Sequence, residues 1–233
     1  YISSMDITMN NQDTHYCIEA ILLAAGESKR FNDTKQLAIV DDKPMLIGTI
    51  EMLRHAEFKS ITVVLGANSS IIEKALQPLY LQTASASNAL PNITSIIASN
   101  WQQGMGASIA AGVKNVGSEV THVFIGLTDQ VEIRAKQCNL MLDQSRKNPH
   151  SIVAAFYNNN AGAPAIFPRA YFAELSKLEN DKGAREMLRA NAASVIRVGM
   201  PEAARDIDTK KDLLLYTSTV QAQKNKRLNK KSQ

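Results

Sequence analysis

Residues 20–37 read "AILLAAGESKRFNDTKQL". The segment opens as an apolar run, turns at Gly26, and then sets Ser28, Lys29, Arg30 and Lys35 within a dozen positions. Its first half has the continuous hydrophobicity of a strand buried on both faces, as found in the middle of a parallel sheet. Ala24, Ala25 and Gly26 then leave the backbone room to turn and a ligand room to approach it. Exposed N–H groups in such a loop make an anion cradle. Arg30 and Lys35 add fixed positive charge, a combination suited to a triphosphate. On these residues alone, a turn with a solvated charged rim is an equal reading.

Working outward, short runs rich in Ile and Val recur at 61–67, 93–99, 122–128 and 152–157. Between them lie segments with helical spacing: Leu46, Ile50 and Leu53; Ile71, Ile72, Ala75 and Leu79; Ile109, Val113 and Val116. Strand and helix alternate with connections too long for hairpins. That pattern predicts parallel strands, right-handed crossovers and a three-layer α/β domain with a mostly parallel sheet. Further strands are expected at 162–168 and 193–200, helices at 170–178 and 183–190, and a last helix after a cap at Asp208 or Thr209. Ligands of such sheets bind beyond the carboxyl ends of the strands, which directs attention to the loops after residues 25, 67, 99 and 128.

With 233 residues, 45% of them hydrophobic and 21% charged, the chain suits one domain, expected over 17–218. Residues 1–16 are polar, with no secretory or anchor pattern, and are expected to be disordered or extraneous. Residues 219–233 carry Lys224, Lys226, Arg227, Lys230 and Lys231 without an acid. The net charge of +4 therefore belongs to an expected disordered basic tail, and the near-neutral body argues against nucleic-acid binding. No apolar stretch approaches the ~20 residues of a membrane-spanning helix. Cys17 and Cys138 are too few for a disulfide framework or a zinc site, which fits a reducing, cytoplasmic setting.

Two more loops carry candidate chemistry. "NWQQGMGASIAAGV" (100–113) follows a strand, brings Gly104 and Gly106, and enters a helix near Met105, turning more N–H groups toward the same sheet edge. Trp101 in this loop reads as a packing anchor. Asp129 follows the 122–128 run and suits a Mg²⁺ ligand or a helix N-cap. Asp206 and Asp208 alternate as on one face of a strand, so either suits a second carboxylate. Asp41 and Asp42 read as a turn before Pro44 at a helix start. The four histidines, at 15, 55, 122 and 150, are scattered and have no evident role.

"LLAAGESKRFNDTKQL" resembles the signature L-A-A-G-x-S-x-R-[MF]-G-x-x-K-x-L of MobA-like nucleotidyltransferases. "GMGASIAAGV", "LTDQ", "GAPAIF", "DKGAR" and "DIDTKKDL" look most like the molybdenum cofactor cytidylyltransferase branch. The resemblance spans about residues 18–215. It implies a Rossmann-like fold that binds CTP and Mg²⁺, transfers CMP to the terminal phosphate of molybdenum-bearing molybdopterin, and serves a molybdenum hydroxylase apoenzyme. Carried onto this chain, Leu23, Ala24, Ala25, Gly26, Ser28, Arg30 and Lys35 would hold the triphosphate. Gly104, Gly106 and Ser108 would lie by the base and ribose. Asp129 and Asp208 would bind the metal, with Lys35, Arg30 and Asp129 carrying the catalysis. Gly162, Pro164, Asp181, Gly183 and Arg185 would face the acceptor.

The chain departs from the pattern at three places. Asn32 stands at a signature glycine, and asparagine enters the left-handed region more readily than most residues. Val131 replaces a common proline, and Asn180 a common glycine. The same fold with another nucleotide, or with a sugar or alcohol phosphate acceptor, is an alternative function. So is a non-catalytic accessory protein that carries the cofactor. A dinucleotide-dependent oxidoreductase is disfavoured, because G-x-G-x-x-G is missing.

Overall fold

β1, Ile18–Ala24, is buried at every position and runs through the middle of a seven-stranded sheet. The computed structural model describes residues 16–85, 90–180 and 183–231. After β1 come a short hairpin, β2 (Ile39–Val40) and β3 (Lys43–Pro44), and then α1 (Met45–Arg54), β4 (Ser60–Leu65) and α2 (Ser69–Ser85). β5 (Asn92–Ile97), α3 (Met105–Lys114), β6 (His122–Leu127) and α4 (Ala135–Lys147) follow. The last third holds β7 (Val153–Tyr157), β8 (Asn160–Pro168), α5 (Phe172–Leu175), α6 (Gly183–Ala190), β9 (Ile196–Gly199) and α7 (Lys210–Lys231).

The sheet order is β5-β4-β1-β6-β8-β7-β9. β4, β5 and β6 are parallel to β1, and only β8 runs against its neighbours, pairing antiparallel with β6 and β7. Because β4 lies on one side of β1 and β6 on the other, the chain order reverses at the carboxyl end of β1. A crevice opens at such a point. The alternation along β1 divides the core. Ile18, Ala20, Leu22 and Ala24 pack with α1, α2 and α4, while Ile21, Leu23 and Ala25 pack with α3, α5 and α6. This is the expected three-layer α/β architecture.

Details differ from the sequence reading in instructive ways. On α2, Ile71 is exposed, and Leu76 joins Ile72 and Leu79 in the core, the i, i+4, i+7 set of one helical face. Asp41 and Asp42 form the hairpin turn with φ of +48° and +68°, and Pro44 precedes the first residue of α1 as anticipated. α7 continues to Lys231, so residues 219–231, expected as a disordered tail, are helical. Apart from Tyr16, the expected N-terminal segment lies outside the described residues. No helix among those described is long and apolar enough to cross a membrane.

Candidate active site

The loop after β1 is held from both ends. Ala25 O accepts a hydrogen bond from Ala67 N at 3.0 Å, and Phe31 packs with Val40, Met45 and Ile207 in a small separate cluster. Ser28 and Asn32 adopt φ of +59° and +55°, so asparagine does supply the left-handed turn at the signature glycine. Nothing lies within 4 Å of a side chain built at Gly26, which leaves open space above the sheet edge. Gln36 is the residue that sequence reasoning passed over. Buried at 3% exposure, it donates from Nε2 to Ala24 O at 3.0 Å and to Gly26 O at 2.9 Å, bracing the loop from beneath. Its only sequence signal is a polar side chain wedged between Lys35 and Leu37.

Lys35 stands on a short 3-10 turn, Lys35–Leu37, and reaches Asp129 Oδ2 at 2.7 Å and Asp208 Oδ1 at 3.1 Å. Arg30 pairs with the other oxygen of Asp208 at 3.0 Å. Burial alone would lower the Lys35 pKa, but the two carboxylates outweigh it and hold the ammonium above its ordinary value. Residues separated by 94 and 173 positions thus form one charge cluster. α4 begins only at Ala135, so Asp129 caps no helix. The last helix is capped by Thr209, whose Oγ1 accepts from Asp212 N while Asp212 accepts from Thr209 N. Asp208 is thereby released to the cluster.

Asp129 Oδ1 is buried and has no hydrogen-bond partner. An orphaned carboxylate oxygen beside a second carboxylate is the chemistry that a hard divalent cation satisfies. The described residues contain no group of three His, Cys, Asp or Glu that could hold a metal ion, so phosphate oxygens and water would complete its coordination. Two backbone ties fix the segment: Thr49 of α1 donates to Thr128 O at 3.2 Å, and Ile207 N to Asp129 O at 3.1 Å. Gln130, also unforeseen, donates to Ala163 O and Ala203 O and joins this loop to β8 and to the turn before Asp206.

A cavity of 410 Å³ is lined by Leu23, the 24–30 loop, Lys35, Asp129, Asp208 and the start of α3. Gly104, Met105 and Ser108 are in its wall, so the first N–H groups of α3 face it. Gly104 has φ +116°, a backbone that favours glycine. Gly106 is not in this wall. A Cβ there would lie 2.8 Å from the carbonyl oxygens of Glu179 and Asn180, so its role is close packing of α3 on that loop. Trp101 packs as anticipated, and a side chain at Gly66 would strike it at 2.6 Å.

A larger cavity of 660 Å³ adjoins the first along a ridge of Leu23, Met105 and Leu127. Gly162, Gly183 and Arg185, three of the residues that the resemblance would turn toward an acceptor, line it together. Pro164 does not; it sits in a narrow crevice beneath the sheet with Leu22 and Phe124. Asp181 lies outside the described residues. Asp206 lines this cavity and Asp208 the smaller one, so the pair divides between the two spaces. Partial burial, reinforced by the charges of Asp129 and Asp208, pushes the Asp206 carboxyl up to about 6.

An open glycine loop with flanking cations, a lysine–carboxylate cluster and an adjoining second cavity at one sheet edge suit transfer of a phosphorylated group between two substrates. A family model for the MobA-like NTP transferase domain matches residues 20–195, and the chain belongs to that family of nucleotidyltransferases. No curated protein sequence gives a significant match. Among solved structures, Rv0371c from Mycobacterium tuberculosis H37Rv is similar, at 24% identity and TM-score 0.68, over 86% of this chain and 97% of that one. The same protein in complex with manganese gives 23%, 0.64, 86% and 97%. A nucleotidyl transferase from Methanothermobacter gives 14% and 0.68 over 88% and 99%. A CMP:2-keto-3-deoxy-manno-octonic acid synthetase complexed with CTP gives 15% and 0.66 over 89% and 99%.

Proposed function

We propose that this nucleotidyltransferase moves CMP from CTP to the terminal phosphate of molybdenum-bearing molybdopterin and releases pyrophosphate. The observation that carries the reading is the Lys35–Asp129–Asp208 cluster in the wall of the smaller of two adjoining cavities. The joint order of six motifs, five of them most like the cytidylyltransferase branch, supports the choice of substrates. CTP occupies the smaller cavity, with its phosphates on the 24–30 loop and the α3 N-terminus; the acceptor occupies the larger one.

An acceptor phosphate is already anionic near neutral pH, so no base is required to generate the nucleophile. Positioning and charge neutralisation carry the reaction. Asp129, with Asp208, would hold Mg²⁺, which when bound would supply charge neutralisation for the phosphates. Lys35 and Arg30 leave their carboxylate partners for the phosphates and offset charge on the departing pyrophosphate. Support for a divalent cation comes from the orphaned Asp129 Oδ1, and from a similar fold known in complex with manganese.

Thermal-shift binding with CTP, GTP, ATP and UTP, each with Mg²⁺, tests the reading, because a bound ligand stabilises by mass action. A shift with CTP alone is expected. A shift with another nucleotide redirects the base assignment, and silence with all four points to a cofactor carrier.

A further inference from the structure

A third cavity, of 360 Å³, lies beside the acceptor cavity and shares Tyr157, Arg185 and Arg189 with it. Arg185 and Arg189 stand four apart on α6, so they occupy one helical face and repel each other. Arg197 enters from β9, its guanidinium 5.3 Å from the centre of the Phe156 ring, with one N–H donated to Ala192 O at 3.4 Å. No aspartate or glutamate lines this cavity, and among the described residues none of the three arginines makes an ion pair. The contrast with the nucleotide cavity is direct: Arg30 and Lys35 each have a carboxylate at 3.0 and 2.7 Å. Asn159, in the turn between β7 and β8, adds an amide to the opposite wall.

Three cations facing one concave space with no acid in its wall raise the local concentration of anions, and their repulsion falls when one binds. Guanidinium groups present paired N–H donors that match two oxygens of a phosphate, carboxylate or other oxyanion. We propose that this arginine cavity holds a second anionic group of the acceptor, at the end remote from the phosphate that attacks the nucleotide. The acceptor is then a molecule with an anion at each end and a middle that fits between apolar walls such as Leu23, Ile109 and Leu127. The inference rests on the reading that the 660 Å³ cavity takes the acceptor.

A length series of linear alkane bisphosphonates, each compared with its monophosphonate, tests this by calorimetry on the full chain. At one chain length the bisphosphonate is expected to bind about tenfold tighter, the worth of one charge-assisted hydrogen bond. Arg197→Gln and Arg189→Gln abolish that advantage, and Arg197→Lys restores part of it. The CTP–Mg²⁺ thermal shift of these variants stays that of the parent, which also shows that they are folded. Equal affinity for mono- and bisphosphonates at every length would overturn the proposal while leaving the nucleotidyl-transfer reading intact. A bisphosphonate advantage without any nucleotide shift would leave a two-ended anion site and overturn the reading on which its assignment to an acceptor rests. If inorganic phosphate binds at the arginines but does not compete with the bisphosphonate, the anion is a free one and the proposal also falls.

Discussion

Lys35 and Asp129 face each other at 2.7 Å across 94 residues of chain, and each limits what the other can do. With Asp208 and its partner Arg30 they form a set whose charges balance before any ligand arrives, which keeps a half-buried ammonium and two carboxylates tolerable at the crevice. Asp129→Asn keeps the shape and removes the anion. Nucleotidyl transfer assayed with Mg²⁺ is expected to fall by roughly 10²–10³-fold with the circular dichroism spectrum unchanged; full turnover would exclude Asp129 from the chemistry. Gln36 acts on the same loop from within the wall of the smaller cavity. Gln36→Leu leaves Ala24 O and Gly26 O without their donor and is expected to lower stability by about 1–3 kcal/mol. Urea unfolding with and without CTP measures it, and the nucleotide's added stabilisation should shrink as the cradle loosens. The glycines, alanines and cations of this loop are conspicuous in the sequence. Gln36 is not, because its importance lies in two carbonyls that only the folded loop brings beneath it.

At the scale of elements, most segments could be located from periodicity, since continuous apolar runs and 3.6-residue spacing are local properties. The helix caps were harder. Asp129, Asp208 and Thr209 are all acceptable cap residues, and the local sequence does not say which is used. The structure assigns the cap of α7 to Thr209, through reciprocal bonds with Asp212. Thr209→Ala is therefore expected to cost about 1 kcal/mol in thermal unfolding. Asp208→Ala should cost less through the helix and more through nucleotide binding. A T209A protein of unchanged stability would return the cap to Asp208. Gly106 teaches the same lesson. Its position in a glycine-bearing loop points to the ligand, whereas the approach of Glu179 and Asn180 requires its missing side chain.

For the molecule as a whole, the sheet places the carboxyl ends of its six parallel strands on one edge, and some titratable groups lie outside both cavities. His122 is an example, 4% exposed on β6, with Nε2 3.0 Å from Pro149 O and Nδ1 2.8 Å from the Thr121 hydroxyl. Burial, with a smaller contribution from His150, holds its pKa below the ordinary 6.5. The unfolded chain then takes up a proton before the folded one, so the stability that His122 contributes is present above pH 6.5 and is lost as pH falls toward the folded value. Thermal unfolding between pH 8 and pH 5 is expected to show this loss, and His122→Gln to flatten the difference below pH 6.5. An identical pH slope in the two proteins would show that the ring is not a source of acid sensitivity.

Composition and periodicity alone determined the three-layer α/β fold, and the spacing of Gly26, Arg30 and Lys35 marked one loop as a candidate phosphate cradle, no more favoured by those residues than a solvated charged turn. These follow from near-neighbour chemistry: burial patterns and backbone freedom are set within a few residues. Only the tertiary structure decided that Asp129 and Asp208 converge on Lys35, that Pro164 lies beneath the sheet, and that Arg185, Arg189 and Arg197 share a cavity with no acid in its wall. Each of those depends on strand order and on which helix packs against which strand. Contacts such as those of Lys35, across 94 and 173 positions, depend on how the whole sheet is assembled, and no local stretch of sequence contains that information.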